Sequence, residues 1–364
     1  MIRMRRGIVT ALGAARPGAH ELEVDVDGKR ATAIAYPDLC GPVTVGDVVI
    51  LNTTAVALGL GTGGVHLVVA VEGAEPGEDL PGRIMKARYT PTQTAVQSVE
   101  ETHRDLLEGS RGLEQTPVVC APLHSMIAPV AAGAKRAGGA NVVYLMTDGA
   151  ALPGAFSRLV FDLRDAGVID AWITCGQAFG GELEAVTPWT GMLAAKEVLG
   201  AEVIVVADGP GNLGTHTTWG VSALASGNIM NAAAAIGGRP IASLRISFAD
   251  PRERHRGVSH HSLTILRDVC LVSADVPVPT LDVDEQRDAV WDALRSAKLE
   301  DRHQLVEVDG RPALGELAAR GIEPRSMGRG VEDDPAFFLA AGAAGVLAGR
   351  VAAGNRRWRE GSTP

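Results

Sequence analysis

From Pro117 the chain reads Pro117-Val118-Val119-Cys120-Ala121-Pro122, then an Ala/Gly-rich stretch over 124–138, then Asn141-Val142-Val143-Tyr144-Leu145-Met146-Thr147 and a polar Asp148-Gly149. Two short, fully apolar runs separated by helical spacing are what two parallel strands and their crossover helix require, since such strands are buried on both faces. The pattern repeats outward. Apolar strands are expected at Ile169–Cys175, Ala201–Asp208, Pro240–Phe248, Val269–Ser273 and Gln304–Val308, with helices near 153–167, 181–199, 219–237, 258–267 and 284–298. Seven strands alternating with six helices predict a doubly wound, mainly parallel α/β sheet, with two further helices at Leu314–Arg320 and Pro335–Gly354.

Before residue 115 the cadence differs. Short alternating segments, Gly7–Leu12, Glu21–Asp27, Arg30–Tyr36, Asp47–Leu51, Val65–Val71 and Arg83–Tyr89, are divided by Arg16-Pro17-Gly18, Asp27-Gly28-Lys29 and Thr62-Gly63-Gly64. This is the pattern of antiparallel hairpins and of a small barrel-like domain over 1–115. A helix over 93–109 links it to a Rossmann-like domain over 116–354. Residues 355–364, with Arg356, Arg357 and Arg359, read as a flexible, solvated tail.

With 46% hydrophobic and only 4% aromatic residues in 364, the core has to be filled by small aliphatics, and 44 glycines supply turns and close approaches. A net charge of −9 and the absence of a lysine-rich run argue against a nucleic-acid partner. Cys40, Cys120, Cys175 and Cys270 form no CxxC pair, as expected in a reducing compartment. Arg3, Arg5 and Arg6 followed by Gly7–Ala15 imitate a signal peptide, but the run flows into the alternation of Glu21–Val26 and reads as a first strand. The apolar run Phe337–Gly349 is too short to span a bilayer. A soluble cytoplasmic protein is therefore expected, with no membrane partner and a homo-oligomer as an open option.

In open parallel sheets ligands bind beyond the carboxyl ends of the strands, so the strand-following loops hold the candidate residues. They supply His124 and Ser125, Asp148, Cys175-Gly176-Gln177, and the loop from Asp208 to Thr217. Gly209, Gly211 and Gly214 match GxGxxG, whose backbone N–H groups can cradle an anion with Asn212 and Thr215 beside them. The next acidic residue that ends a strand, Asp250, is too distant for a dinucleotide fingerprint, so no cofactor is assigned. Arg252, Arg254, His255, Arg256, His260 and His261 then fall within ten positions. Guanidinium groups grip carboxylate or phosphate, and His255, His260 or His261 can move protons near neutral pH, so these three and Cys175 at a strand end are the catalytic candidates. Arg329 lies between two glycines and can reach a ligand. Combinations of His255, His260, His261, His124, His216, Asp148 and Asp208 have the chemistry of mixed N/O metal ligands, but none has a closed ligand spacing, so no metal is assigned.

The segments Cys175–Gly181, Gly209–Thr215, Arg252–His261 and Met327–Gly330 together resemble an uncharacterised bacterial family, domain of unknown function 3866, over nearly the whole chain. That resemblance implies no activity. A fainter similarity to the pyruvoyl-forming component of the glycine, sarcosine and betaine reductases rests on Gly59–Val69, Ile173-Thr174, Lys196–Leu199 and Val203–Gly211. That family's pyruvoyl-forming cysteine has no counterpart here, and the similarity implies at most an amino-acid-like or carboxylate ligand. Three readings follow: an enzyme acting on a small anionic metabolite, a ligand-binding or regulatory protein using the same pocket, and an interaction protein acting through its β-domain.

Overall fold

A computed structural model of the protein describes residues 2–60, 63–74, 82–215 and 217–361, with side chains as far as Arg356 in the last helix. His216 and Thr62, both singled out in the sequence, lie outside the described residues. The chain divides into two compact units between Gln97 and Ser98. This is ahead of the change of cadence near 115, because the intervening segment is bonded into the second unit. Ser98 bridges to Glu184, Glu100 accepts the Val186 N–H, and the Leu113 N–H donates to the Ile236 carbonyl at 2.7 Å. The helix expected over 93–109 is instead a strand, Thr94–Val96, followed by two short helices, Val99–Thr102 and Arg104–Glu108.

In the first unit β1 (Met4–Arg16), β2 (Ala19–Val26), β3 (Lys29–Ala35), β4 (Val48–Asn52) and β5 (His66–Val71) close into a barrel of order β1-β2-β3-β5-β4. All its pairs are antiparallel except β3 with β5. Asp27 and Gly28 both have positive φ (54° and 76°), the two-residue hairpin turn that Asp-Gly favours, and it sets the Val26↔Lys29 register. Val9, Leu22, Val24, Ala33, Val49 and Leu51 fill the interior. Gly7 has no side chain for a steric reason: a Cβ there would approach Leu51 Cδ1 to 2.8 Å. A hairpin of β6 (Ile84–Lys86) and β7 (Thr94–Val96) completes this unit.

The second unit is built on an eight-stranded, all-parallel sheet flanked by helices, the α/β fold the sequence predicts. Its strands are β8 (Pro117–Cys120), β9 (Val142–Thr147), β10 (Ala171–Cys175), β11 (Leu183–Ala185), β12 (Val203–Asp208) and β13 (Arg239–Ala242). After a two-residue pair, β14 (Ile246–Ser247) and β15 (Gly257–Val258), come β16 (Asp275–Pro279) and β17 (Gln304–Val308). The order is β11-β10-β9-β12-β8-β13-β16-β17. Alternate residues of β12 enter opposite cores, Val203, Val205 and Ala207 on one face and Ile204 and Val206 on the other. That is why the strand reads as a continuous apolar run.

Three details differ from the sequence reading. The expected strand at Val269–Ser273 is the end of a π-helical turn, Ile265–Val269, and the strand lies just beyond it in Asp275-Val276-Pro277-Val278-Pro279. Two prolines argue against a strand because they lack N–H donors. Here both fall on one edge, and β13 pairs with β16 only at Ile241↔Asp275 while β17 pairs along its length. The short strand β11 occupies the start of a stretch read as helix, leaving Pro188–Glu197 as the helix proper. At the C-terminus the helix Pro335–Gly361 continues into the supposed flexible tail, where Asn355 donates to the Gln115 carbonyl and Arg356 pairs with Glu202.

That helix is also long and apolar enough to cross a membrane over Pro335–Arg356, contrary to the short run expected. Its side chains identify it as a core helix instead: 72% of that window is buried, and Phe337, Phe338, Ala341, Ala344 and Ala348 pack on the sheet.

Candidate functional site

The connections define where a ligand crevice opens. From β8 the chain crosses through the Ile127–Gly138 helix to β9 on one side, and from β12 it crosses through the Ala225–Ala235 helix to β13 on the other. The two helices lie on opposite faces of the sheet, one in each core. Because β8 and β12 are neighbours whose connections diverge, the loops after them part at their carboxyl ends, the topological switch point of an open α/β sheet. A cavity of about 590 Å³ lies there, of the size that holds small metabolites.

On one wall is His124, which opens a turn after β8. Its Nδ1 is 3.0 Å from the Asp208 carbonyl, which can only accept, so Nδ1 carries the proton and Nε2 is bare. The Ser157 hydroxyl, 2.7 Å away, then donates to Nε2. Ser157 caps the Arg158–Asp165 helix by accepting the Val160 N–H, which fixes its oxygen in place. Burial pushes the His124 imidazole down to about 4, so it is neutral at physiological pH. The Asp208 carboxylate faces away, accepting from Thr147 Oγ1 (2.6 Å), the Gly149 N–H and Asn212 Nδ2. Burial nonetheless raises its pKa.

The rest of the lining carries cations. Arg245, Arg252 and Arg254 line the cavity together with His255 and His261. Asp250, whose side chain is fully buried, accepts from Arg245 at 3.0 Å and from Arg252 at 2.7 Å. The Nε atoms of Arg245 and Arg254 are buried without a partner among the described residues. His255, His260 and His261 are all shifted downward, first by burial and then by nearby guanidinium groups or, for His261, by His260, with His255 reaching about 3 and His261 about 4.

The structure thus brings His124, Gly211, Asn212, Gly214, Thr215, Arg252, Arg254, His255 and His261 of the sequence candidates to one cavity. Others lie elsewhere. Cys175 is buried in the core beside Val143 and Ile173 and does not line the cavity, as a strand-end cysteine pointing into an apolar layer must. Asp148 is exposed and accepts the Gln177 N–H at 2.8 Å, a loop-to-loop contact away from the cavity lining. Arg256 is exposed, and Arg329 is turned to Asp334 at 3.3 Å.

The GxGxxG loop does not form the expected helix-opening cradle. Gly214 bridges to Val221 as a small hairpin, Thr215 N–H donates to the Gly220 carbonyl, and Leu213 N–H donates to Ser222 Oγ, so these donors are used internally. Gly209 is required by a close approach to the Ala151 carbonyl (2.6 Å from an added Cβ), and Gly211 by its φ of 95°.

Sequence reasoning missed Ser157 and Arg245. The signal for Ser157 was a serine immediately before the apolar periodicity of Leu159–Leu163, an N-cap pattern that a helix drawn from 153 absorbed. Arg245 sits inside Ser243-Leu244-Arg245-Ile246, where a lone charge in an apolar run marks the break after β13.

Fold and cavity together define an α/β protein with an arginine- and histidine-lined crevice at the switch point of a parallel sheet. The chain belongs to the family described as Protein of unknown function (DUF3866), whose model matches residues 32–345 and so takes in the entire sheet. No curated protein matches the chain.

Proposed function

We propose that the protein is a cytoplasmic enzyme acting on a small carboxylate- or phosphate-bearing metabolite held in the switch-point crevice. The observation that carries this reading is the juxtaposition, across one cavity, of Arg245, Arg252 and Arg254 with the hydrogen-bonded Ser157–His124 pair. Guanidinium groups supply bidentate, charge-assisted donors to an oxyanion. A serine hydroxyl donating to a neutral imidazole whose other nitrogen is anchored is the arrangement of a nucleophile and its general base. His124 is a weak base when the crevice holds only solvent, and an anion bound in the same cavity raises its basicity, which ties proton transfer to ligand binding. Four buried cysteines with no CxxC pair accord with a reducing compartment, and the net charge of −9 with a small anion, not a nucleic acid, as partner.

The alternative, a non-catalytic ligand-binding protein, is favoured by one observation: Ser157 is 3% exposed and already caps a helix. Calorimetry with inorganic phosphate and turnover of p-nitrophenyl esters separate the two. Arg254→Ala is expected to weaken phosphate binding about tenfold or more, and Ser157→Ala to abolish turnover at unchanged phosphate affinity. Unchanged turnover in Ser157→Ala returns the proton chemistry to His255 and His261, and wild-type protein that binds no phosphate refutes the crevice as an anion site.

A further inference from the structure

His255, His260 and His261 form a second constellation at the same crevice. The β14–β15 pairing (Ile246↔Val258, Ser247↔Gly257) folds the segment back, so His255, in a 3-10 turn, meets His260 and His261 at the start of the His260–Thr264 helix. The ring centroids are 5.3 Å (His255–His260), 5.1 Å (His255–His261) and 3.9 Å (His260–His261) apart. One ring nitrogen from each residue lies within 4.8 Å of those of the other two. His255 is oriented by its Nδ1, 2.8 Å from Ser259 Oγ, and Ser259 also caps the helix that carries the other two rings. The Nε2 atoms of His260 and His261 are buried and meet no hydrogen-bond partner among the described residues.

Ring stacking alone leaves those two nitrogens unexplained, since buried polar atoms in folded proteins are almost always satisfied. Neutral imidazoles whose nitrogens converge, one of them anchored through its other nitrogen, are what a transition-metal site requires. We propose that His255, His260 and His261 bind a divalent cation of borderline softness, Zn(II) or Co(II), as a three-histidine site. Its remaining coordination position opens to the crevice, which His255 and His261 line.

The neighbouring charges determine what fills that position. Asp250 is engaged by Arg245 and Arg252, and Arg254 adds a further cation, so a bare metal ion meets a repulsive field. An oxyanion ligated to the metal and gripped by the guanidinium groups removes that repulsion. Metal and anion therefore bind with positive coupling, each tightening the other by the same factor. This coupling rests on the reading of the crevice as an anion site; the three-histidine site itself does not.

The test uses untagged, EDTA-treated full chain titrated with Co(II), followed by its visible absorption, and with Zn(II) by calorimetry, each with and without inorganic phosphate. One equivalent is expected to bind with the intense bands of a four- or five-coordinate Co(II), and phosphate is expected to tighten it. His260→Ala and His261→Ala should each weaken binding about 100-fold or more, with His260→Gln and His261→Gln, polar and non-ligating, replacing any alanine variant that does not fold. Arg254→Ala should keep the metal site and lose the effect of phosphate. Binding of no equivalent by wild type, or unchanged binding in the His260 and His261 variants, overturns the site. Tight binding that phosphate does not alter, or retained phosphate coupling in Arg254→Ala, overturns only the anion coupling.

Discussion

Asp250 sets the charge balance of the arginine cluster, gripped by Arg252 through both carboxylate oxygens and by Arg245 through one. Its carboxylate has no exposed surface, and the Arg252 guanidinium beside it holds its pKa well below the ordinary carboxylate range. Its other partner, Arg245, has only 8% of its side chain exposed, so removing the carboxylate leaves a buried cation without its counter-charge. Asp250→Ala is therefore expected to cost about 3–5 kcal/mol of stability, the penalty of breaking a buried pair from one side, and Asp250→Asn less, because the amide oxygen still accepts a hydrogen bond. Urea denaturation measures both, and a loss below about 1 kcal/mol in Asp250→Ala would show that Arg245 is compensated elsewhere. At this scale the sequence was half legible. The cluster from Arg252 to His261 stood out by charge, but which guanidinium groups are paired and which Nε is left free depends on how the turn between β14 and β15 folds Asp250 back onto Arg245.

Among the elements, the helices Ile127–Gly138 and Pro335–Gly361 meet backbone to backbone. A Cβ on Gly345 would lie against the Val130 carbonyl at 1.9 Å, one on Gly133 against that of Gly342 at 2.6 Å, and one on Gly138 against that of Gly349 at 2.2 Å. The Ala/Gly composition of 337–349 is thus the sequence imprint of a close helix crossing, and the scarcity of aromatics follows from cores filled by such contacts. Gly345→Ala should destabilise by about 3 kcal/mol, because rigid backbone has to move to admit the methyl group. Gly315, exposed within the Arg311–Ala319 helix and with nothing near its absent Cβ, gives the opposite sign: Gly315→Ala should stabilise by about 1 kcal/mol through helix propensity. Thermal melts compare the two, and equal effects would mean that the helix contact is looser than described.

For the whole molecule, the buried histidines determine the acid limb of stability. His124, His255 and His261 are held near 4, 3 and 4, below the ordinary 6.5, so the unfolded chain takes up protons that the folded chain refuses. Stability is full above about pH 6.5 and is lost as pH falls from there toward about 3, with His124 alone contributing on the order of 3 kcal/mol to that loss. Asp250, whose carboxyl is also shifted downward, adds stability present above about pH 4 and lost only below it. Urea midpoints of EDTA-treated protein between about pH 8 and 5 should fall on the acid side, and His124→Gln should flatten that slope. A constant midpoint across that range would show that these imidazoles are solvated.

The alternation of apolar strands with helices determined the parallel sheet, and the Asp-Gly and Pro-Gly turns determined the hairpins of the barrel, because both rest on periodicity and turn chemistry confined to a few neighbouring residues. The identity of the loops at the sheet's carboxyl edge followed from the same pattern. Only the tertiary structure decided that β12 inserts next to β8 and so creates the switch point, since strand order is set by which apolar faces meet across long sequence separations. It decided equally that Ser157 and His124, 33 residues apart, share a hydrogen bond, and that Cys175 faces the core while His255, His260 and His261 converge. Side-chain direction at a strand end and the path of an irregular loop depend on packing against distant residues, which no local pattern encodes.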